Sequence, residues 1–399
     1  MGYRILYHHR TQALDGQRVH INAIQRAFRD QGHDVVEVAP LPAVEAAGGT
    51  PVRTWRRQVL ENVASTAPRG AYEVLELSYN LVGYRSLAAA IRAVRPDFIY
   101  ERYALNTVAG VWASARFQIP LLLEVNSPLA DEKHALGQLL FHGSARRLER
   151  HVLRKATRVL AVTEVLAGML RQAASLPDEK VIVVQNGADP EEMSGPVVDT
   201  VSVRAERGWA QNDFVLGSVG FFREWHGIDS LLRALAGIQT SRRKRVLLVG
   251  DGPARSHLER LAAQLGLASD VVFTGSVSHE MIPRYLGAMD AVVIPRAVAY
   301  ASPLKLFEYM AAGKAILAPR QPNLLEVITE NVDALCFEPE NLTELGSALS
   351  RMICDEGLCR RLGLEAQRTI ARNELTWSGN ARRIVEVFEG VSRRTDGVR

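Results

Sequence analysis

Cysteine is scarce. The three in 399 residues, Cys336, Cys354 and Cys359, form no CxxC pair and have no clustered histidines beside them. That excludes a disulfide framework, offers no zinc-ligand spacing and leaves ordinary reduced thiols as the expectation. No apolar run reaches the roughly 18 residues of a membrane-spanning helix. The opening MGYRILYHHR has no apolar signal-peptide core and enters a strand-like segment directly, so a cytoplasmic protein is expected. The first strand, loop and helix carry only Gly16 where a dinucleotide fold has G-x-G-x-x-G, which removes the main support for a nicotinamide enzyme. A G-x-S-x-G elbow is also missing, against a serine hydrolase. So is a D-x-D pair, against a metal clamp on a diphosphate. Basic clusters such as residues 53–57 have no helix-turn-helix, finger or RRM pattern around them, so nucleic acid is not an expected partner. The sequence contains no internal repeat and no low-complexity tract.

A chain of this length with 47% apolar residues can bury a large core and suggests two domains of ordinary size. The formal charge of +4 is mild and fits anionic substrates or work near an anionic membrane surface. Strand patterns at Tyr3–His9, Val35–Pro40, Pro96–Tyr100, Pro120–Asn126, Arg158–Val162 and Val181–Val184 alternate with helical ones, the first of these over Arg18–Gln31. Alternation of this kind reads as a doubly wound parallel sheet. Ligands of such sheets lie beyond the carboxyl ends of the strands, which brings Glu101, Arg102, Glu124 and Asn126 toward a common crevice.

A polar, strand-poor run at Pro190–Asn212 reads as a linker. The second half then repeats the alternation: strands at Val215–Val219, Arg245–Val249, Val271–Thr274 and Ala291–Pro295, helices from about Ile228, up to Gly266, around His279–Gly287, at Asn323–Glu326, over Arg351–Arg372 and over Asn380–Glu389. Its most informative stretch is Ser302–Lys314, SPLKLFEYMAAGK. Ser302 can cap a helix, Pro303 suits its first position and Gly313 its left-handed end. The helix is apolar nearly all round, with Lys305 and Glu308 as its only charges. They can pair with each other at i, i+3, a contact of roughly 0.2–0.5 kcal/mol. Alternatively, the loop 296–302 and the helix N-terminus offer N–H groups to a phosphate while Glu308 accepts hydrogen bonds from a ribose diol.

This stretch resembles the retaining glycosyltransferases of the GT-B fold, specifically the large family 4, in which such a segment closes an E-x7-E motif. Glu308 matches the second glutamate. The first falls at Tyr300, a departure where the family contacts the donor sugar. The resemblance extends to Asp15, Gly16 and Gln17 in the first loop, to Glu101–Asn106 and Leu123–Pro128, which look like exopolysaccharide-type members, and to Asn186-Gly-Ala-Asp189 at the passage into the second domain. Many relatives have a histidine near position 126, where this chain has Asn126. In the loop Gly220–Gly227 the family's arginine and lysine positions are Phe221 and His226, so Arg223 and His226 are expected to take over the donor's diphosphate. Gly250 and Gly252 fall near the nucleotide base, or only shape a turn.

The resemblance implies an α/β protein of GT-B type, two Rossmann-like doubly wound domains facing each other across a cleft. It places an acceptor-side domain at 1–195, a nucleotide-sugar domain at 210–375 and a last helix within 376–399 that returns to the first domain. It implies sugar transfer with retention from a nucleotide-diphosphate sugar to a glycan, lipid-linked or small-molecule acceptor, with no resident cofactor and no metal. Asn126, Tyr300 and Glu308 are the candidate catalytic residues. Gly16, Arg223, His226, Gly250, Gly252, Ser302, Pro303, Leu304 and Lys305, again with Glu308, are the candidate donor contacts. A catalytically silent nucleotide-sugar binder that regulates or scaffolds a partner enzyme is the alternative. Finally, Arg147, Arg150 and Arg154 share one face of the helix Ser144–Lys155: a solvated face, or a peripheral contact with anionic lipid.

Overall fold

The computed structural model of the chain describes residues 2–11, 16–39, 69–194 and 200–396; the expectations for Asp15 and for the basic cluster at 53–57 lie outside them. Two compact units emerge, Met1–Val184 with Ala381–Arg399, and Gln185–Asn380. The first holds strands β1 (Arg4–His8), β2 (Asp34–Val38), β3 (Phe98–Arg102), β4 (Leu121–Val125), β5 (Arg158–Ala161) and β6 (Val181–Val183). They form one parallel sheet in the order β2-β1-β3-β4-β5-β6. The second holds β7 (Phe214–Val219), β8 (Lys244–Val249), β9 (Val271–Phe273), β10 (Ala291–Val293), β11 (Ala315–Pro319) and β12 (Ala334–Phe337), again all parallel, in the order β12-β11-β10-β7-β8-β9.

Central strands such as FIYER and LLLEV are buried at every residue. Helices cover both faces of a parallel sheet, so such strands read as near-continuous apolar runs rather than alternating ones. In the second unit two separate apolar clusters lie on the two sides of the sheet. One gathers Val215, Val292, Phe307 and Ile316, the other Phe214, Leu216, Val293 and Leu317.

Three expected elements differ. The presumed linker contains helices at Pro190–Ser194 and Thr200–Glu206, whose Met193 and Val203 are buried in the second unit's core. The long basic helix breaks in two, Leu342–Cys354 and Glu356–Arg372. At the break Asp355 is extended and its carboxylate accepts from the Leu358 N–H, 2.8 Å away, so a cap starts a new helix inside an apparently continuous period. The last helix is longer than its apolar stripe, running Trp377–Asp396.

That helix carries the chain from the second unit back into the first. There the Phe388 ring stacks on Phe98 at 4.6 Å between centroids and meets Tyr3 edge-on at 5.1 Å, while the Tyr3 hydroxyl donates to Glu389 at 2.9 Å. Truncating a buried aromatic removes its transfer energy and leaves a cavity. Phe388→Ala is therefore expected to destabilise the first unit by about 3 kcal/mol, seen as an earlier urea transition. An unchanged transition would mean that the helix does not hold that unit.

Candidate functional site

Strand order in the second unit reverses between β7 and β10, the place where open parallel sheets bind ligands. Two loops leave the sheet there, Gly220–Gly227 after β7 and residues 294–303 after β10. The second feeds the helix Leu304–Ala311. Its start differs from expectation: Pro303 is the flanking residue, with no side-chain cap. The Ser302 hydroxyl instead takes a long hydrogen bond of 3.5 Å from the Asn186 N–H. Its end is as expected, with Gly313 at φ 64°. The Gly313 and Lys314 N–H groups close onto the Met310 and Tyr309 carbonyls, each at 3.0 Å, as in a Schellman ending.

The first turn leaves the N–H groups of Leu304 and Lys305 without intrahelical partners. Lys305 lies under the first loop: a Cβ added to Gly220 would stand 3.0 Å from its Nζ. Burial lowers its pKa from 10.5 to about 8, so the ammonium is charged at neutral pH. It does not pair with Glu308 in an ion pair or hydrogen bond. Glu308 Oε1 is 2.9 Å from His279 Nε2, a partner 29 residues away that no local pattern announces. His226, expected with Arg223 at the donor's diphosphate, lies in the first loop. Burial, with Lys305 and Arg223 nearby, lowers its pKa to about 4, and its Nδ1 accepts from the Arg223 N–H at 3.4 Å. It ties the loop together as a neutral ring. The Arg223 guanidinium packs over the exposed rings of Phe221 and Trp225, at 5.1 and 4.8 Å.

Gly250 and Gly252 serve the loop rather than an open surface. A Cβ on either would come within 2.0 and 2.3 Å of the carbonyl oxygens of Gly220 and Phe222. The backbones interlock instead, Phe222 N–H donating to Asp251 at 2.7 Å and Ala254 N–H to Phe222 at 3.1 Å.

Tyr300 lies at the tip of a turn, Val298 to Ala301, closed by an Ala301 N–H bond to the Val298 carbonyl at 3.0 Å. Three amide side chains grip this loop. Asn323 Nδ2 donates to the carbonyls of Val298 (3.0 Å) and Ala301 (2.7 Å), Gln321 Nε2 to Ala297 (3.3 Å) and Asn186 Nδ2 to Ser302 (2.7 Å). All three amide oxygens are buried with no partner, each at a cost of about 1–3 kcal/mol.

In the first unit, order reverses between β1 and β3. Glu101 and Arg102 are adjacent in β3 and so point to opposite faces. Glu101 Oε2 meets His8 Nδ1 at 2.5 Å, both side chains 1% exposed. Arg102 pairs with Glu124 on the other face; Glu124 also takes the Tyr100 hydroxyl at 2.7 Å and Asn126 Nδ2 at 2.5 Å. Burial alone would raise the Glu124 pKa, but His20, then Arg102 and these hydrogen bonds, hold it below the usual value. The crevice set thus splits: Arg102, Glu124 and Asn126 come together, and Glu101 goes elsewhere. Gly16 opens the first helix, Gly16–Asp30, and is exposed.

Of the basic face, Arg154 donates to the Ala174 carbonyl at 2.8 Å, and Arg150 has a buried Nε with no partner. Exposed Arg147 lines a cavity of about 430 Å³ with Leu77, Asn106, Phe141 and Leu148.

Two family models match adjoining parts of the chain, Glycosyltransferase Family 4 over residues 14–192 and Glycosyl transferases group 1 over residues 200–369. The chain belongs to this glycosyltransferase family. It is similar to lipopolysaccharide core biosynthesis glycosyltransferase LpsD of Rhizobium meliloti, 28% identical over 86% of this chain and 89% of that one. It also resembles alpha-D-kanosaminyltransferase of Streptomyces kanamyceticus, 26% identical over 62% of this chain. The matches span only 60% and 65% of the length of the first curated relatives. Among solved structures, HepE of Anabaena in complex with UDP superposes with a TM-score of 0.72 over 97% of this chain and 100% of that one, at 20% identity. The fold is that of the GT-B glycosyltransferases.

Lys305 gives this chain a signed stability effect. Between pH 8 and 10.5 the unfolded chain holds the proton that the folded protein has released, so stability rises with pH across that window. Lys305→Met should therefore raise the thermal midpoint at pH 7, with the gap closing toward pH 10.5. A lower midpoint at pH 7 would show that the ammonium stabilises the unliganded protein.

Proposed function

We propose that this chain moves a sugar from a nucleotide-diphosphate sugar to a hydroxyl of its acceptor, with retention and without a metal. The observation that carries this reading is the charged Lys305 ammonium under the Gly220 loop, beside the unbonded N–H groups of the Leu304–Ala311 helix, at the strand-order reversal. Positive charge held beside a helix N-terminus suits a diphosphate, and it stabilises the leaving group most as the glycosidic bond breaks. Arg223 adds a second cation at the loop; His226 contributes by shaping that loop.

Glu308 and its partner His279 supply the carboxylate for a ribose diol, as the second glutamate of the motif does in the family. On the first unit, Glu124 fixes the Asn126 amide so that its oxygen is the atom left to accept an acceptor hydroxyl. The apolar cavity beside Arg147 favours a lipid-linked acceptor over a free metabolite, since it offers Leu77, Phe141 and Leu148 to a chain and a guanidinium to a phosphate. Retention rests on the family resemblance, and an inverted anomer in the NMR spectrum of the product would reject it. Undiminished turnover in EDTA is the expected result for a metal-independent enzyme.

A thermal-shift panel of UDP, GDP, dTDP and ADP tests the donor site. Ligand at a hundredfold over Kd adds about 2.7 kcal/mol, so one nucleotide should raise the wild-type midpoint by a few degrees and fail to do so with Lys305→Met. Equal shifts in both proteins would move the diphosphate elsewhere.

A further inference from the structure

We propose that Asn323 is the positioning residue for the donor sugar: by clamping the turn Val298–Ala301 it aims backbone N–H groups at the sugar, replacing the carboxylate that the family pattern has at position 300. This rests on the donor-site reading above and adds a part of the site that the resemblance does not contain.

The argument is geometric. A trans peptide points each carbonyl away from the N–H of the following residue. Gripping the Val298 and Ala301 carbonyls with one amide, at 3.0 and 2.7 Å, therefore turns the N–H groups of Ala299 and Ser302 outward. Gln321 does the same for the Val298 N–H by holding the Ala297 carbonyl. None of these three N–H groups has a partner among the described residues. The amide orientation is forced, because a carbonyl can only accept. Its consequence is the stranded oxygen on Asn323, Gln321 and Asn186, all three buried without a hydrogen bond. Three neighbouring amides left half-satisfied in the same sense, all toward one loop, mark a loop whose shape is held against a local penalty, a pattern found at functional sites. Tyr300, at the tip of that turn, brings a hydroxyl, which can donate as a carboxylate cannot.

Titration calorimetry with the full chain separates the two contacts. The probes are the nucleoside diphosphate that stabilises wild type, from UDP, GDP, dTDP and ADP, and the glucose, galactose, mannose and N-acetylglucosamine conjugates of the same base. Asn323→Asp keeps the shape and turns a double donor into an acceptor facing two carbonyls. It should weaken the best-bound conjugate at least about tenfold while leaving the bare diphosphate within about twofold, because Lys305 and the helix N-terminus are untouched. Gln321→Met, at the margin of the clamp, should show the same pattern more weakly and carries the test if the aspartate variant does not fold. Equal loss of both ligands, or loss of neither, overturns the role of the clamp. A wild type that binds none of the four diphosphates instead removes the donor-site reading itself, and the clamp with it.

Discussion

When all strands of a sheet run the same way, each connecting helix begins just beyond a strand's carboxyl end, so unbonded N–H groups and positive dipole ends collect along one edge. At most positions a neighbouring connection covers that edge. Where strand order reverses, the two flanking connections diverge to opposite faces and leave a crevice. Both sheets here obey that constraint, at β7/β10 and at β1/β3. The features of the second unit then follow in sequence. The loop after β7 must pass within backbone contact of the loop after β8, which only glycines at 250 and 252 permit; the folded loop roofs Lys305, and the roof desolvates its ammonium.

A lowered lysine pKa in a protein without its ligand means that the charge is held at a penalty. Such a penalty is consistent with a group whose stabilising partner arrives from outside, since an anion that neutralises the ammonium removes the cause of the shift. Glu308 offsets that penalty only in part, and its carboxylate is held by His279. The first unit solves the same problem internally. Arg102 and Glu124 bury opposite charges against each other, with Tyr100 and Asn126 completing the carboxylate's hydrogen bonds. The first unit's crevice is electrically closed and the second's is cationic, which is consistent with the proposal that the second unit takes an anionic donor.

Fold class was legible because it depends on period. Buried parallel strands write themselves as short apolar runs, and VLGSV, RVLLV and AVVIP each ended within two residues of the observed strand. The break at Asp355 was missed because the period runs on across it while the cap is a single side chain. At the site, the residues adjacent in sequence were legible: Lys305, the helix and its Gly313 ending. Partners set by folding were not. Nothing around His279 signals that it meets Glu308, and Asn186, Gln321 and Asn323 carry no pattern of their own. The charge state of His226 was not legible either, for a related reason. Its residue type fits a cation, but its charge depends on burial and on two cations brought beside it.

Tyr300 shows what such distant contacts can change. Replacing one carboxylate in a sugar site by a phenol removes an acceptor and a negative charge near the leaving diphosphate; alone, that would forfeit sugar recognition. In the surrounding loop, amides from two segments, at Asn186 and at Gln321 with Asn323, pull the carbonyls inward and leave N–H groups facing out. Backbone N–H groups and a hydroxyl can bond the same sugar oxygens that a carboxylate bonds through their hydrogens, with the direction of donation reversed. Under the proposed donor site, the loop therefore keeps a means of holding the sugar while carrying one negative charge fewer. On the donor-site proposal, Tyr300 and the clamp act on one sugar site from two places in the sequence that only the fold joins.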